Sequence, residues 1–161
     1  MGTNDLFVYA AVYEDEASAL SDLELFFELA VVGVVGKFDT AILTKDADGK
    51  VHVEKHGTAA ASGAWKGLLA GGLVGLLFPP SILVGSLVGG ASGALVGKLW
   101  GGMSRTNLKE IGETLDQYET GLVIVGESTI DALIEKTLKK AKKRVRKELE
   151  ATLKDIEKEM K

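Results

Sequence analysis

The chain contains no cysteine. Disulfides, thiolate zinc sites, iron–sulfur clusters and cysteine nucleophiles are therefore excluded, and a reducing cytosolic setting fits. Proline occurs twice, at Pro79 and Pro80. From residue 67 to residue 97 there is no charged side chain. The N-terminal stretch MGTNDLFVYAAVYEDE has neither a basic region nor a cleavage site, so no secretory signal is expected. Residue 6 is Leu, where a myristoylation signal wants Ser or Thr.

Glycine is abundant, with 20 in 161 residues, and most of it lies in one region. Gly63, Gly67, Gly71 and Gly75 form one run at every fourth position. Gly85, Gly89, Gly93, Gly97 and Gly101 form a second. Residues four apart share one face of a helix, so each run predicts a groove without side chains. Nine helical glycines would cost roughly 9 kcal/mol relative to alanine, comparable to the stability of a small domain. Such helices need a close packing partner, and another helix in a lipid-like setting is the usual one. Phe78-Pro79-Pro80-Ser81 separates the runs, which makes Pro79 and Pro80 the expected hairpin turn.

Around this segment the pattern is that of an α+β domain. Leu6 to Tyr13 is apolar and aromatic, and reads as a central strand. Ala17 to Val31 reads as a helix behind the acidic Glu14-Asp15-Glu16. Lys37–Lys45 and Lys50–His56 read as strands joined by the turn Asp46-Ala47-Asp48-Gly49. Thr106–Glu119 reads as a helix broken by Gly121, and Leu122–Gly126 as a short buried strand. Ser128 with Asp131 resembles a capping box, from which a helix is expected to run almost to Lys161. Without the glycine segment the order is strand, helix, strand, strand, helix, strand, the ferredoxin-like split βαβ pattern with helices on one face. Expected units are a discontinuous α/β domain (1–58 and 104–127), an inserted apolar helical hairpin (59–103) and a charged amphipathic C-terminal helix (128–161).

A bilayer-spanning helix needs about 20 apolar residues. Extending the arms to Ala59 and Met103 reaches that length and encloses Lys66 and Lys98. These lysines, beside Trp65 and Trp100, suit a membrane interface. With the basic run at 136–147 they would mark the cytoplasmic side. A soluble oligomer that buries the hairpin satisfies the glycine periodicity equally well.

DLFVYAAVYEDEASALSDLELF and GKFDTAILTKDADGKVHVEKHG precede the glycine runs, and LKEIGETLDQYETGLVIVGE follows them. This arrangement resembles the bacterial and archaeal membrane-protein family known as domain of unknown function 1269. It is also similar in plan to small glycine-zipper general stress proteins. The resemblance implies membrane association and a stress role, and brings no catalytic residues.

Other patterns carry less. His52, Glu54 and His56 alternate along a strand and could face a divalent ion, although a polar solvent face is the plainer reading. Asp46, Asp48 and Gly49 lack the later ligands of a calcium loop. Gly33-Val34-Val35-Gly36 lacks the Gly-Lys-Ser/Thr of a phosphate loop. No catalytic residue, resident metal or cofactor is expected. Lys136, Lys139, Lys140, Lys142, Lys143, Arg144, Arg146 and Lys147 put eight positive charges into twelve residues without a negative one. On a helix with Ile134, Leu138, Ala141, Val145 and Leu149 as its apolar stripe, they would contact a partner copy or anionic lipid headgroups. No stacking aromatics accompany them, so specific nucleic-acid binding is not expected. The functional expectation is a non-enzymatic, membrane-associated protein on the cytoplasmic face that forms homo-oligomers through the glycine hairpin. The alternatives are a soluble particle with an apolar interior for lipid or other hydrophobic cargo, and a pore. No small-molecule ligand is indicated.

Overall fold

The computed structural model describes residues 5–32, 38–56, 73–74, 77–78, 81–84, 103–127 and 130–152. Among these residues the order is β1 (Asp5–Tyr13), α1 (Glu16–Val32), β2 (Phe38–Lys45), β3 (Val51–His56), β4 (Leu83–Val84), α2 (Arg105–Leu115), β5 (Thr120–Glu127), α3 (Asp131–Thr137) and β6 (Lys143–Thr152). The protein is α+β. The strands form one sheet in the order β4-β3-β2-β5-β1-β6. The five longer strands pair antiparallel, and β4 joins β3 in parallel through Leu83 and Val84.

The hairpin β2–β3 turns as its sequence predicts. Asp46 Oδ1 accepts hydrogen bonds from the amides of Asp48 (2.9 Å) and Lys50 (3.0 Å). Gly49 takes φ +80°, open to glycine without steric cost.

The sheet has two apolar faces because its strands are apolar at consecutive positions. Leu122, Val123, Ile124 and Val125 of β5 are all fully buried, and alternate side chains point to opposite sides. Tyr9, Ala11, Tyr13, Ile42, Leu122 and Ile124 line one face, under α1 and α3. Phe26 and Phe38 meet there edge to face at 5.1 Å. Val8, Ala10, Val12, Leu43, Val123 and Val125 line the other. Ile111 and Leu115 of α2 cover that second face together with Leu73, Val74 and Phe78. Ser104 caps α2, its Oγ accepting from the Asn107 amide at 3.1 Å. A Cβ at Gly121 would lie 2.9 Å from Leu115 Cδ2 and 3.2 Å from Leu43 Cγ, so glycine lets the end of α2 close onto the sheet.

Two expectations are corrected. First, helices cover both faces, since a central strand apolar on both sides cannot leave one in water. Second, the C-terminal helix expected over 128–161 is absent from the described part of that range. In its place stand the seven-residue α3, a turn, and the ten-residue β6. Val145 and Leu149 are four apart, a spacing that puts residues on one face of either a helix or a strand. Ser128 lies outside the described residues. Ile130 occupies the N-cap of α3 without a side-chain cap, and Asp131 is engaged elsewhere. In the sheet β5 lies between β1 and β2, and β3 lies outside β2.

One buried polar contact ties β1, α1 and the turn before β6. Tyr13 Oη donates to Asp22 Oδ2 at 3.1 Å, and the Lys140 amide donates to the same oxygen at 2.9 Å. Tyr13 is fully buried and Asp22 nearly so. Burial, and then the neighbouring Asp22 carboxylate, push the phenol well above its ordinary pKa. Tyr13→Phe leaves the carboxylate one donor short. It should cost about 1–3 kcal/mol in chemical denaturation; a wild-type midpoint would contradict this role.

Candidate functional site

Two features set this domain apart from a plain α+β fold. One is the seat of the glycine-rich segment. Leu73 and Val74 are helical and fully buried, and Leu77 lies against α2, 3.6 Å from the position a Cβ would take at Gly112. The Phe78 amide donates to the Val74 carbonyl at 3.1 Å, continuing the helical turn. After Pro80 the chain comes back along β3. The Val51 amide donates to the Ile82 carbonyl at 2.7 Å, Lys50 Nζ donates to the Ser81 carbonyl at 2.8 Å, and Leu83 and Val84 form β4. Met103, at the far end of the segment, is buried in the same cluster. Leu77, Phe78, Ile82 and Leu108 line an open groove of about 590 Å³ together with Lys109, Gly112, Glu113 and Asp116 of α2 and its end.

The expected packing glycines Gly63, Gly67, Gly71, Gly75, Gly85, Gly89, Gly93, Gly97 and Gly101 lie outside the described residues. So do Pro79 and Pro80 of the expected turn, and Trp65, Lys66, Lys98 and Trp100 of the expected interface. Residues on both sides of Pro79 and Pro80 sit on the domain, with Leu73, Val74 and Phe78 in its core and Leu83 and Val84 paired to β3. Apolar content alone does not separate a lipid-facing stretch from one that covers a sheet. The signal that could have found the seat is the sequence Ile82-Leu83-Val84, a β-branched and apolar run one residue after a proline pair. Among the described residues, no helix is long and apolar enough to cross a membrane.

The second feature is the basic run. Lys136 lies in the last turn of α3, Lys139, Lys140 and Lys142 lie in the turn, and Lys143, Arg144, Arg146 and Lys147 lie on β6. A strand divides its charges between two faces. Arg144 and Arg146 point to the α3 side. Arg146 forms a fork with Asp131, Nε to Oδ1 and Nη2 to Oδ2 both at 3.0 Å, and its guanidinium stacks 3.7 Å from the Phe7 ring centroid. Tyr9 Oη donates to the same Asp131 carboxylate. Arg144 meets Glu135 at 3.2 Å. These pairs bridge an open cleft of about 710 Å³ between α3 and the β6 edge. Lys147 points the other way, to Glu110 of α2 at 2.7 Å. Lys142 approaches Glu14 at 3.5 Å. The single basic face expected from a helix is therefore replaced by charges on two faces, four of them matched by acids of α1's approach, α2 and α3. Their acidic partners were invisible in the sequence because they are distant in the chain.

The histidine strand offers no metal site among the described residues. His52 Nε2 lies 2.8 Å from Asp46 Oδ2 instead. The His52 contact, and then the amides of Lys50 and Asp48, hold the Asp46 carboxyl below its usual range. The side chain of His56 lies outside the described residues.

A helix-covered antiparallel sheet that seats a glycine-rich segment and ends in a charged edge strand defines a class by architecture, with no assigned chemistry. The family model described as "Protein of unknown function (DUF1269)" matches residues 64–160, and the chain belongs to that family. The match begins inside the glycine-rich segment and includes α2, β5, α3 and β6. No curated protein and no solved structure matches the chain.

Leu73→Ala should lower domain stability by about 2–5 kcal/mol, the cost of emptying a buried leucine site. Thermal or denaturant unfolding followed by sheet ellipticity measures it. A midpoint equal to wild type would mean that the seat contributes nothing.

Proposed function

We propose that this is a non-enzymatic self-assembling protein, whose domain holds the middle of the glycine-rich segment and offers the two glycine runs to neighbouring copies at a membrane's cytoplasmic face. The observation that carries the reading is the burial of Leu73, Val74 and Phe78 beside the β3–β4 pairing.

Chain length adds to it. Sixteen residues, 57–72, join His56 to Leu73, and eighteen, 85–102, join Val84 to Met103. Each stretch starts and finishes on the same domain. Crossing a bilayer and returning takes about 40 helical residues, twice the length of one span. These lengths favour lateral packing of glycine faces between copies over a spanning hairpin or a pore. Membrane association is then a surface matter, with the exposed Lys136, Lys139, Lys140 and Lys143 as contacts for anionic headgroups.

We also propose that the domain is ferredoxin-like, with its six elements being β1, α1, β2, β5, α3 and β6. The strand order β2-β5-β1-β6 supports this. So does the placement of α1 and α3 on one face, each crossing between two parallel strands that flank a third. The segment from β3 to α2 is then one long insertion, and it covers the opposite face.

The apolar groove at Leu77, Phe78, Ile82 and Leu108 favours a second reading, a soluble assembly that holds lipid or another hydrophobic cargo. Organic extraction of detergent-free protein, followed by mass spectrometry, distinguishes the two.

Gly93→Leu fills one position of the second glycine run. It should reduce the native mass of the assembly while the circular dichroism of the domain stays unchanged. An unaltered native mass would contradict assembly through the glycine runs.

A further inference from the structure

The two edges of the sheet are unequal. On one side β4 contributes two residues. On the other, β6 contributes ten, Lys143–Thr152, and contains no proline. A long unguarded edge is a template for another strand, and charge of one sign along it is a common guard. The edge of β6 is different, because its charges change sign. Lys143, Arg144, Arg146 and Lys147 are followed by Glu148. A parallel partner of the same sequence would set like charges side by side. An antiparallel partner would set basic positions against acidic ones.

We propose that β6 pairs antiparallel with β6 of a second copy, with Lys147 at the two-fold axis, so that one sheet continues through both. Alternation allows only registers in which corresponding faces meet, and those centre on a residue. Centring on Lys147 puts Arg146 opposite Glu148 of the second copy and Val145 opposite Leu149, each twice by symmetry. Opposite charges and apolar pairs across strands are favourable, and like charges are not. The two lysines at the axis are each engaged by Glu110 of their own α2 at 2.7 Å, which offsets their repulsion. Centring on Glu148 would bring two carboxylates together. The register of β6 on β1 shifts between Leu6, paired with Leu149, and Asp5, paired with Thr152. That bulge leaves Lys143–Leu149 as the straight part of the edge, and the 145–149 core of the pairing falls within it. This edge is separate from the glycine runs, so an assembly could use both.

The absence of cysteine gives a clean test. Lys147→Cys, Lys143→Cys and Glu148→Cys are prepared as full chains and oxidised at low protein concentration. They are then run on a denaturing gel without reductant, where one cysteine per chain allows nothing larger than a dimer. Directly opposed residues lie about 4.5–5.5 Å apart, within disulfide reach. Two copies of position 143 would be about 26 Å apart along the strands. The expected result is a covalent dimer through residue 147 and little through residue 143. The Lys147→Cys protein must also match wild type in circular dichroism. Cross-linking through Glu148→Cys in preference to Lys147→Cys, equal yields at all three positions, or none at 147 in a folded protein would overturn the pairing. Because the readout is position-specific, it is independent of whether the glycine runs assemble. Gly93→Leu combined with Lys147→Cys should still cross-link.

Discussion

A sheet with two apolar faces requires two covers, and the rest of this structure follows from how the second is found. Leu122, Val123, Ile124 and Val125 leave no position in the middle of β5 that can face water. α1 and α3 cover one side. On the other, eleven-residue α2 shares the work with Leu73, Val74 and Phe78 from the glycine-rich segment. Burying such side chains contributes about 1.5–3 kcal/mol each. The segment is thereby tied to the domain in its middle, from Leu73 near the end of the first glycine run to Val84 just before the second, and the backbone bond from Val51 to Ile82 fixes its return path.

This seat changes the meaning of the apolar stretch. Length, hydropathy and flanking Trp and Lys residues are shared by membrane hairpins and by segments that cover a sheet. What separates them is whether the middle of the stretch has a protein partner, which is a tertiary property. The elements β1, α1, β2, β3 and the Asp46–Gly49 turn were legible because their signals are local: β-branched runs, an acidic helix start, a glycine at positive φ. β6 was not legible. Val145 and Leu149 fit both periods, and Arg146, Lys147 and Glu148 between them favour helix. The decision came from the edge of β1, whose backbone groups needed a partner and whose Val8, Ala10 and Val12 share a face with Lys147, Val145 and Lys143.

The electrostatics of β6 depend on the same choice. A helix would have shown most of its basic residues to one surface. The strand sends Arg144 and Arg146 to Glu135 and Asp131, and Lys147 to Glu110. Exposed pairs of this kind each contribute little to stability. The Arg146 fork is the stronger case, being bidentate, stacked on Phe7 and joined by Tyr9. It fixes α3 against the sheet edge, and with it the outer strand that ends the fold.

The central claim is the seat made by Leu73, Val74, Phe78, Ile82, Leu83 and Val84. Amide hydrogen exchange on detergent-free protein, read by peptide mass, tests it directly. The amides of Phe78 and Val51, bonded to Val74 and Ile82, should be protected on the timescale of β3, and far longer than those of an unstructured peptide. Rapid exchange at Phe78 and Val51, with β5 still fully protected, would mean that the glycine-rich segment is not held by the domain.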